Sequence, residues 1–211
     1  MKLTLPEKGL LKKTGEVDYF DWNYKFPIKH IQKYRFKKII QMLGNQNYDT
    51  LLEAGTGSGI FLPELSKHCR HLYAIDIHHD FDNIENLCKK SEISDFHLST
   101  QSIDQTNFHD ESFDAIVAVS VLEFVPDILK ALGEIKRILK KDGIFVTICP
   151  MESNFLDFFL SLYTRKKPIE EFGNSRQKVT TIIESNFTIL KKGYLVGKYF
   201  PVYTHYKLKK P

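Results

Sequence analysis

The chain has 211 residues, a formal net charge of +4, 42% hydrophobic residues and 27% charged residues, proportions that fit one globular domain with a sizeable core. The mild positive charge allows acidic partners without demanding nucleic acid. Cys69, Cys88 and Cys149 are odd in number, far apart and at no metal-ligand spacing, which speaks against a disulfide framework or a metal site and for a reducing, cytoplasmic setting. Residues 1–13 carry charge throughout and no apolar signal core, and no apolar run approaches the roughly 20 residues of a bilayer span.

In chain order, residues 1–26 read as an irregular, aromatic-rich arm. Pro27 suits a helix start, and Ile28, Ile31, Ile39 and Leu43 then fall near one helical face, with Gly44 as the stop. Strand and helix patterns alternate from there. Thr50–Ala54 is a short apolar strand, Ile60–His68 a helix, Leu72–Ile75 a strand and Phe81–Lys90 a helix. Phe96–Ser99 is a strand, and Ala115–Val119 is fully apolar, as a central parallel strand should be. Ile128, Leu132, Ile135 and Leu139 share one face of a helix over Ile128–Leu139, with Gly143 as the stop signal, and Ile144–Ile148 is the next buried strand. Ser175–Glu184 reads as a helix, followed by strands at Phe187–Lys191 and Val202–Leu208 with no helix between them, an antiparallel pair at one sheet edge. The pattern predicts a single α/β domain with a Rossmann-like, doubly wound sheet. Its parts are an arm and helix over 1–48, a core over 49–150, a lid insertion over 151–174, and a last helix and strand pair over 175–211.

The most informative stretch is Leu51-Leu52-Glu53-Ala54-Gly55-Thr56-Gly57-Ser58-Gly59. It follows a strand and precedes a helix. Glycines there let the backbone turn sharply and approach a ligand, and the free N–H groups at such a turn bind anionic or polar groups. On their own the glycines serve equally well as a tight turn. Asp76, at the end of the next strand and about 20 residues on, is placed to accept hydrogen bonds from two ribose hydroxyls. Together the two features predict an adenosine-containing ligand beyond the carboxyl ends of the strands.

The dinucleotide fingerprint is G-x-G-x-x-G. This turn instead places an acid, Glu53, two residues before Gly55-x-Gly57-x-Gly59, and so resembles the first motif of class I S-adenosylmethionine (SAM)-dependent methyltransferases. The resemblance covers roughly residues 49–151. Asn107–Asp114 is similar to the segment leading into strand 4 of the small-molecule, type 11-like subgroup. Ser120–Asp127 is similar to the loop after that strand, with Phe124 where the family often has His, and Lys140–Ile144 to the turn into strand 5. The resemblance implies a seven-stranded sheet with an antiparallel last strand, SAM as cofactor and S-adenosylhomocysteine (SAH) as product. By that alignment Glu53, Ala54, Gly55, Thr56, Gly57 and Gly59 form the cofactor loop and Asp76 holds the ribose. Ile77 packs on the adenine, Ser102 and Ile103 lie where the family usually has Asp-Ala against it, and Ser120 follows strand 4. Methyl transfer from a sulfonium needs mainly binding, orientation and exclusion of water. Glu123 is the one carboxylate that the alignment puts near the methyl group, as a candidate general base, although a cofactor-loop or solvent-facing role suits it better. His78-His79-Asp80 reads as a surface loop rather than a metal site.

For the acceptor, two aromatic segments qualify: the arm, with Tyr19, Trp22 and Tyr24, and the stretch carrying Phe158 and Phe159. Phe124 is a further candidate contact. Together they suggest a covered pocket for a small-molecule, apolar acceptor. Plain packing on the sheet or a peripheral membrane contact would also account for the second segment. Alternative functions are a nucleic-acid or RNA methyltransferase, disfavoured by Ser120-Val121-Leu122-Glu123 where base methylases carry Asn/Asp-Pro-Pro-aromatic, and a non-catalytic SAM-binding partner domain. A nicotinamide dehydrogenase is disfavoured by the glycine spacing. Neither the target atom nor the oligomeric state is encoded legibly.

Overall fold

A computed structural model of the chain describes residues 3, 5–15, 18, 20–26, 28–151, 175–195 and 202–211. Seven strands form one sheet: β1 (Tyr48–Ala54), β2 (Cys69–Asp76), β3 (Phe96–Thr100), β4 (Phe113–Val119), β5 (Leu139–Pro150), β6 (Thr188–Leu195) and β7 (Tyr203–Lys209). Their order is β3-β2-β1-β4-β5-β7-β6. The first five run parallel, and β7 lies antiparallel between β5 and β6. Among the described residues the α-helices are α1 (Ile28–Leu43), α2 (Leu62–Leu65), α3 (Asp82–Lys90), α4 (Ile128–Ile138) and α5 (Ser175–Asn186). The doubly wound sheet expected from the alternating pattern is therefore present.

The period of two along each strand divides the core into two layers. Leu51, Leu72, Ala115, Val117, Val146 and Ile148 face α1, α2 and α3, against Phe36, Ile39, Leu62 and Leu87. Leu52, Ile75, Ile116, Ala118, Phe145 and Tyr206 face α4 and α5, against Leu132, Ile135, Val179 and Ile183. The middle strands are thus buried on both faces, which is why β4 reads as uninterrupted apolar sequence from Ala115 to Val119.

Two elements depart from the sequence reading. The helix expected over Ile60–His68 is a single turn, α2, followed by a 3-10 turn over Ser66–His68. Pro63 lies at its start, where the missing N–H costs nothing, and the chain must already be extended at Cys69 to enter β2. The turn expected around Lys140–Gly143 is instead the first part of β5. Leu139 pairs with Phe113 and Ile144 with Ala115, so the additional residues are absorbed as an irregularity in the ladder. Lys140 there pairs with Asp114 of β4 at 2.9 Å, and Asp114 also accepts from the Thr50 N–H at 2.9 Å, tying β1, β4 and β5 together at their amino ends.

No described helix is long and apolar enough to cross a membrane. Among the described residues no group of three or more His, Cys, Asp or Glu is arranged to hold a metal ion.

Candidate active site

The glycine turn is held in place from three sides. Both Gly55 and Thr56 donate their N–H groups to the Ile75 carbonyl, at 2.8 and 3.2 Å. Gly57 donates to Asp76 Oδ2 at 2.8 Å, while Asp76 Oδ1 accepts from the Ile77 N–H at 2.7 Å. His78 Nδ1 accepts from the Asp80 N–H at 3.2 Å, so its Nε2 carries the proton and donates to the Gly57 carbonyl at 3.1 Å. Gly55, Gly57 and Gly59 have φ of +74°, +51° and +74°, a region that side chains other than glycine's enter at a cost. The three differ in their surroundings. A Cβ on Gly55 would overlap Val121, one on Gly59 would come within 2.8 Å of Ile84, and one on Gly57 would find only Asp18, at 3.7 Å. Gly55 and Gly59 therefore serve packing as well as the turn, whereas the space over Gly57 opens towards a cavity.

That cavity has a volume of about 610 Å3 and runs across the carboxyl ends of the strands. At one end lie Ile77, Gln101, Ser102 and Ile103, with Phe124 to Pro126 beside them. Ile77 is 73% exposed, an apolar side chain offered to whatever planar group enters. Below the glycine turn Glu53 is buried and accepts from Thr56 Oγ1 at 2.8 Å. Burial pushes its carboxyl up to about 8, with the Thr56 hydrogen bond opposing and the Asp76 charge adding to the rise. Ser120 follows β4 with φ of +56°, a strained backbone for a non-glycine residue. Its hydroxyl accepts from Arg35 Nη1 at 3.0 Å.

The structure thus brings Glu53, Gly55, Thr56, Gly57, Asp76, Ile77, Ser102, Ile103 and Ser120 to one cavity, together with Trp22, Glu123 and Phe124. Ala54 is buried in the sheet and Gly59 packs against Ile84; neither lines the cavity. Tyr24, expected near the acceptor, also lies off the lining: its hydroxyl donates to the Pro6 carbonyl at 2.6 Å and staples the arm to itself. Tyr19, Phe158 and Phe159, with nearly all of the expected lid segment, lie outside the described residues.

Several lining residues were not singled out in the sequence, among them Asp18, Gln32, Arg35, His78 and Tyr203. Asp18 sits opposite Gly57 and accepts from the Thr14 N–H, the Thr14 hydroxyl and the Phe20 N–H, at 3.1, 3.0 and 3.1 Å. Burial raises its pKa, those hydrogen bonds oppose the rise, and the Asp76 charge adds to it. Arg35 stacks between the rings of Phe36 and Tyr203, 5.4 and 5.5 Å from their centroids. His78 read as part of a surface loop; its contact with the glycine turn is a tertiary one. An arginine on the inward face of an otherwise lysine-bearing helix was the one signal in the sequence that could have singled out Arg35.

A sheet of this order, with a glycine turn after β1 and a carboxylate at the end of β2, is the fold of the class I SAM-dependent methyltransferases. Comparison with known proteins bears this out. Residues 52–147 match a family profile described as "Methyltransferase domain". Two curated proteins named ubiquinone biosynthesis O-methyltransferase are similar in sequence. The one from Hydrogenovibrio crunogenus is 24% identical over 135 residues, 63% of this chain and 54% of that protein. The one from Actinobacillus pleuropneumoniae is 29% identical over 137 residues, 60% of this chain and 56% of that protein. The match therefore spans little more than half the length of those relatives. Among solved structures, the N-methyltransferase NodS from Bradyrhizobium japonicum in complex with SAH superposes with a TM-score of 0.70 at 19% identity, over 96% of this chain and 97% of its own.

Proposed function

We propose that the cavity binds SAM and that the protein transfers its methyl group to a small, largely apolar acceptor. The observation that carries this reading is the charge of the lining. Asp18, Asp76 and Glu123 contribute carboxyl groups, beside Glu53, whose buried carboxyl stays protonated until about 8, against Arg35 as the one lysine or arginine among the described lining residues. A dinucleotide would bring a pyrophosphate to the glycine turn, where Asp18 and Asp76 would repel it. A sulfonium with an ammonium group suits the same surroundings. The uncommitted lone pairs of Asp76, beyond those used by Gly57 and Ile77, suit ribose hydroxyls. Ile77 and Ile103 suit an adenine ring, and Arg35 suits a carboxylate.

When bound, SAM supplies a methyl group on a positively charged sulfur; the acceptor's nucleophile forms a bond to that carbon while the sulfur keeps the pair of the bond that breaks. The residues present need only hold the reactants in line and keep water away. Asp76 and the Gly55–Gly57 backbone fix one end, and the arm residues Phe20 and Trp22 cover the cavity. Glu123, buried beside Cys149, is the candidate to receive the proton that an oxygen or nitrogen nucleophile releases. The name of the two curated relatives supports an oxygen nucleophile on an apolar acceptor.

Calorimetric titration tests the reading. SAM and SAH should bind and NADH should not. Binding of NADH without SAM would overturn it. Binding of SAM with no label passing from methyl-tritiated SAM to any component of a metabolite extract would favour a non-catalytic SAM-binding domain.

A further inference from the structure

We infer that Tyr203 of β7 and Gln32 of α1 form the acceptor-binding end of the cavity, and that they recognise a neutral hydroxyl group on an apolar acceptor. The inference rests on the proposal that the rest of the cavity holds SAM.

Position comes first. In the sheet order the cavity floor runs from Asp76 at the end of β2, through the glycine turn after β1 and Ser120 after β4, to Pro150 at the end of β5 and Tyr203 at the start of β7. Tyr203 pairs directly with Pro150. Asp76 and Tyr203 are thus four strand spacings apart, roughly 19 Å, which puts Tyr203 at the end of the floor away from the adenosine contacts. Gln32 extends the same end upward. The connection from α1 to β1 is only residues 44–47, so α1 runs antiparallel to β1, with its amino end above the carboxyl ends of the strands. Arg35 is level with the strand ends, since it reaches Ser120. Gln32, one turn earlier on the same helix face, lies roughly 4.5 Å further out.

Chemistry comes second. The other polar groups at this end are partly engaged: Arg35 meets Ser120 through Nη1 and lies over two rings while its Nε is unpaired, and Asn23 meets the Phe20 carbonyl at 2.9 Å through Nδ2 while its Oδ1 is unpaired. Among the described residues the Tyr203 hydroxyl makes no hydrogen bond, although its ring is 93% buried. Gln32 is 95% buried and its Oε1 has no partner. An unpaired amide in such a place is costly until something pairs with it. Both side chains are neutral, and each can donate and accept. A neutral hydroxyl, itself both donor and acceptor, satisfies the two together. Trp22, Phe20 and Phe36 supply an aromatic surround for an apolar body.

The experiment uses protein saturated with SAH, so that only the acceptor end is open, and follows binding of 4-propylphenol and of its methyl ether by saturation-transfer NMR titration. The phenol should bind about fivefold tighter or more, the scale of one or two net hydrogen bonds. In Tyr203→Phe and in Gln32→Leu the preference should fall below about twofold, with SAH affinity unchanged. Equal binding of phenol and ether, no binding of either, or a preference that survives both substitutions overturns the inference. So does a loss of SAH affinity in the variants, which would place these residues with the cofactor. Failure of the unsubstituted protein to bind SAH at all is read in a separate titration and counts against the SAM proposal itself.

Discussion

Asp76 carries two tasks at once, and a substitution separates them. Its carboxylate holds the Gly57 N–H and the Ile77 N–H while facing the cavity. Asp76→Ala should weaken SAM binding by about 1.5–3 kcal/mol through lost charge-assisted hydrogen bonds. Unchanged affinity in a folded variant, measured by calorimetry, would remove Asp76 from the ribose role. Gly57 makes a complementary case. Its Cβ direction is open apart from Asp18, so Gly57→Val should fold, at a strain cost of about 1–3 kcal/mol for the positive φ, yet lose SAM binding because the side chain projects into the cavity. Tight binding by that variant would show that the ligand lies elsewhere.

Glu53 makes a prediction in pH. Below the ordinary 4.5 of a glutamate it is protonated in the folded and the unfolded chain alike and has no effect on stability. Above 4.5 the unfolded chain ionises while the buried carboxyl stays protonated until about 8. Stability is therefore lost progressively as pH rises from 4.5 through 8. Glu53→Gln keeps an oxygen for the Thr56 hydroxyl and cannot ionise. Thermal melts should show the unsubstituted protein losing Tm between pH 5 and 8 more steeply than this variant. Parallel curves would mean that Glu53 is ionised in the fold.

At the scale of elements, what the sequence reveals is what depends on local pattern. The periodicities of α4, β1 and β4, and the helix-free tail before β7, follow from residues near one another in the chain. The glycine turn and Asp76 were legible for the same reason: each sits at the end of its own strand. Asp18, Arg35 and Tyr203 were not, because they meet only when the arm, α1 and the antiparallel β7 pack over the strand ends. Gly143 shows the opposite failure. It reads as a stop signal, but in β5 it sits where a Cβ would come within 2.8 Å of Leu139 and 3.0 Å of the Phe113 carbonyl. Gly143→Val should therefore lower stability by about 1–3 kcal/mol by overpacking while leaving SAM affinity as it was, since the position lies at the amino end of the core strand. Denaturant melts with a SAM titration of the same variant check both halves; a loss of affinity with unchanged stability would reverse the assignment.

At the scale of the whole molecule, the arm closes the cavity from above the sheet. Thr14, Gly15, Asp18, Phe20, Trp22 and Asn23 all line it, while Leu10 and Leu11 anchor the arm in the core layer of α1 to α3. Of the described ion pairs, Lys12 with Asp80 ties the arm to the loop after β2, and Lys8 with Asp21 joins two parts of the arm; both are exposed and so worth little in water. The arm lies outside the sheet, with Leu3, Leu5, Phe20, Trp22 and Tyr24 only partly buried against that core layer, and a ligand beneath it adds contacts that only the closed arrangement makes. Cofactor binding and arm closure should therefore be coupled. Trp22, the single tryptophan, reports on this directly: SAH should shift or quench its emission and slow tryptic cleavage at Lys12 and Lys13. Asp18→Ala removes the carboxylate that organises Thr14 and Phe20 around the turn, and should reduce both responses at saturating SAH while the core melts at the same temperature. Saturating SAH that leaves Trp22 emission and cleavage unchanged would show a preformed cover, with the arm contributing shape to the cavity but no closing step.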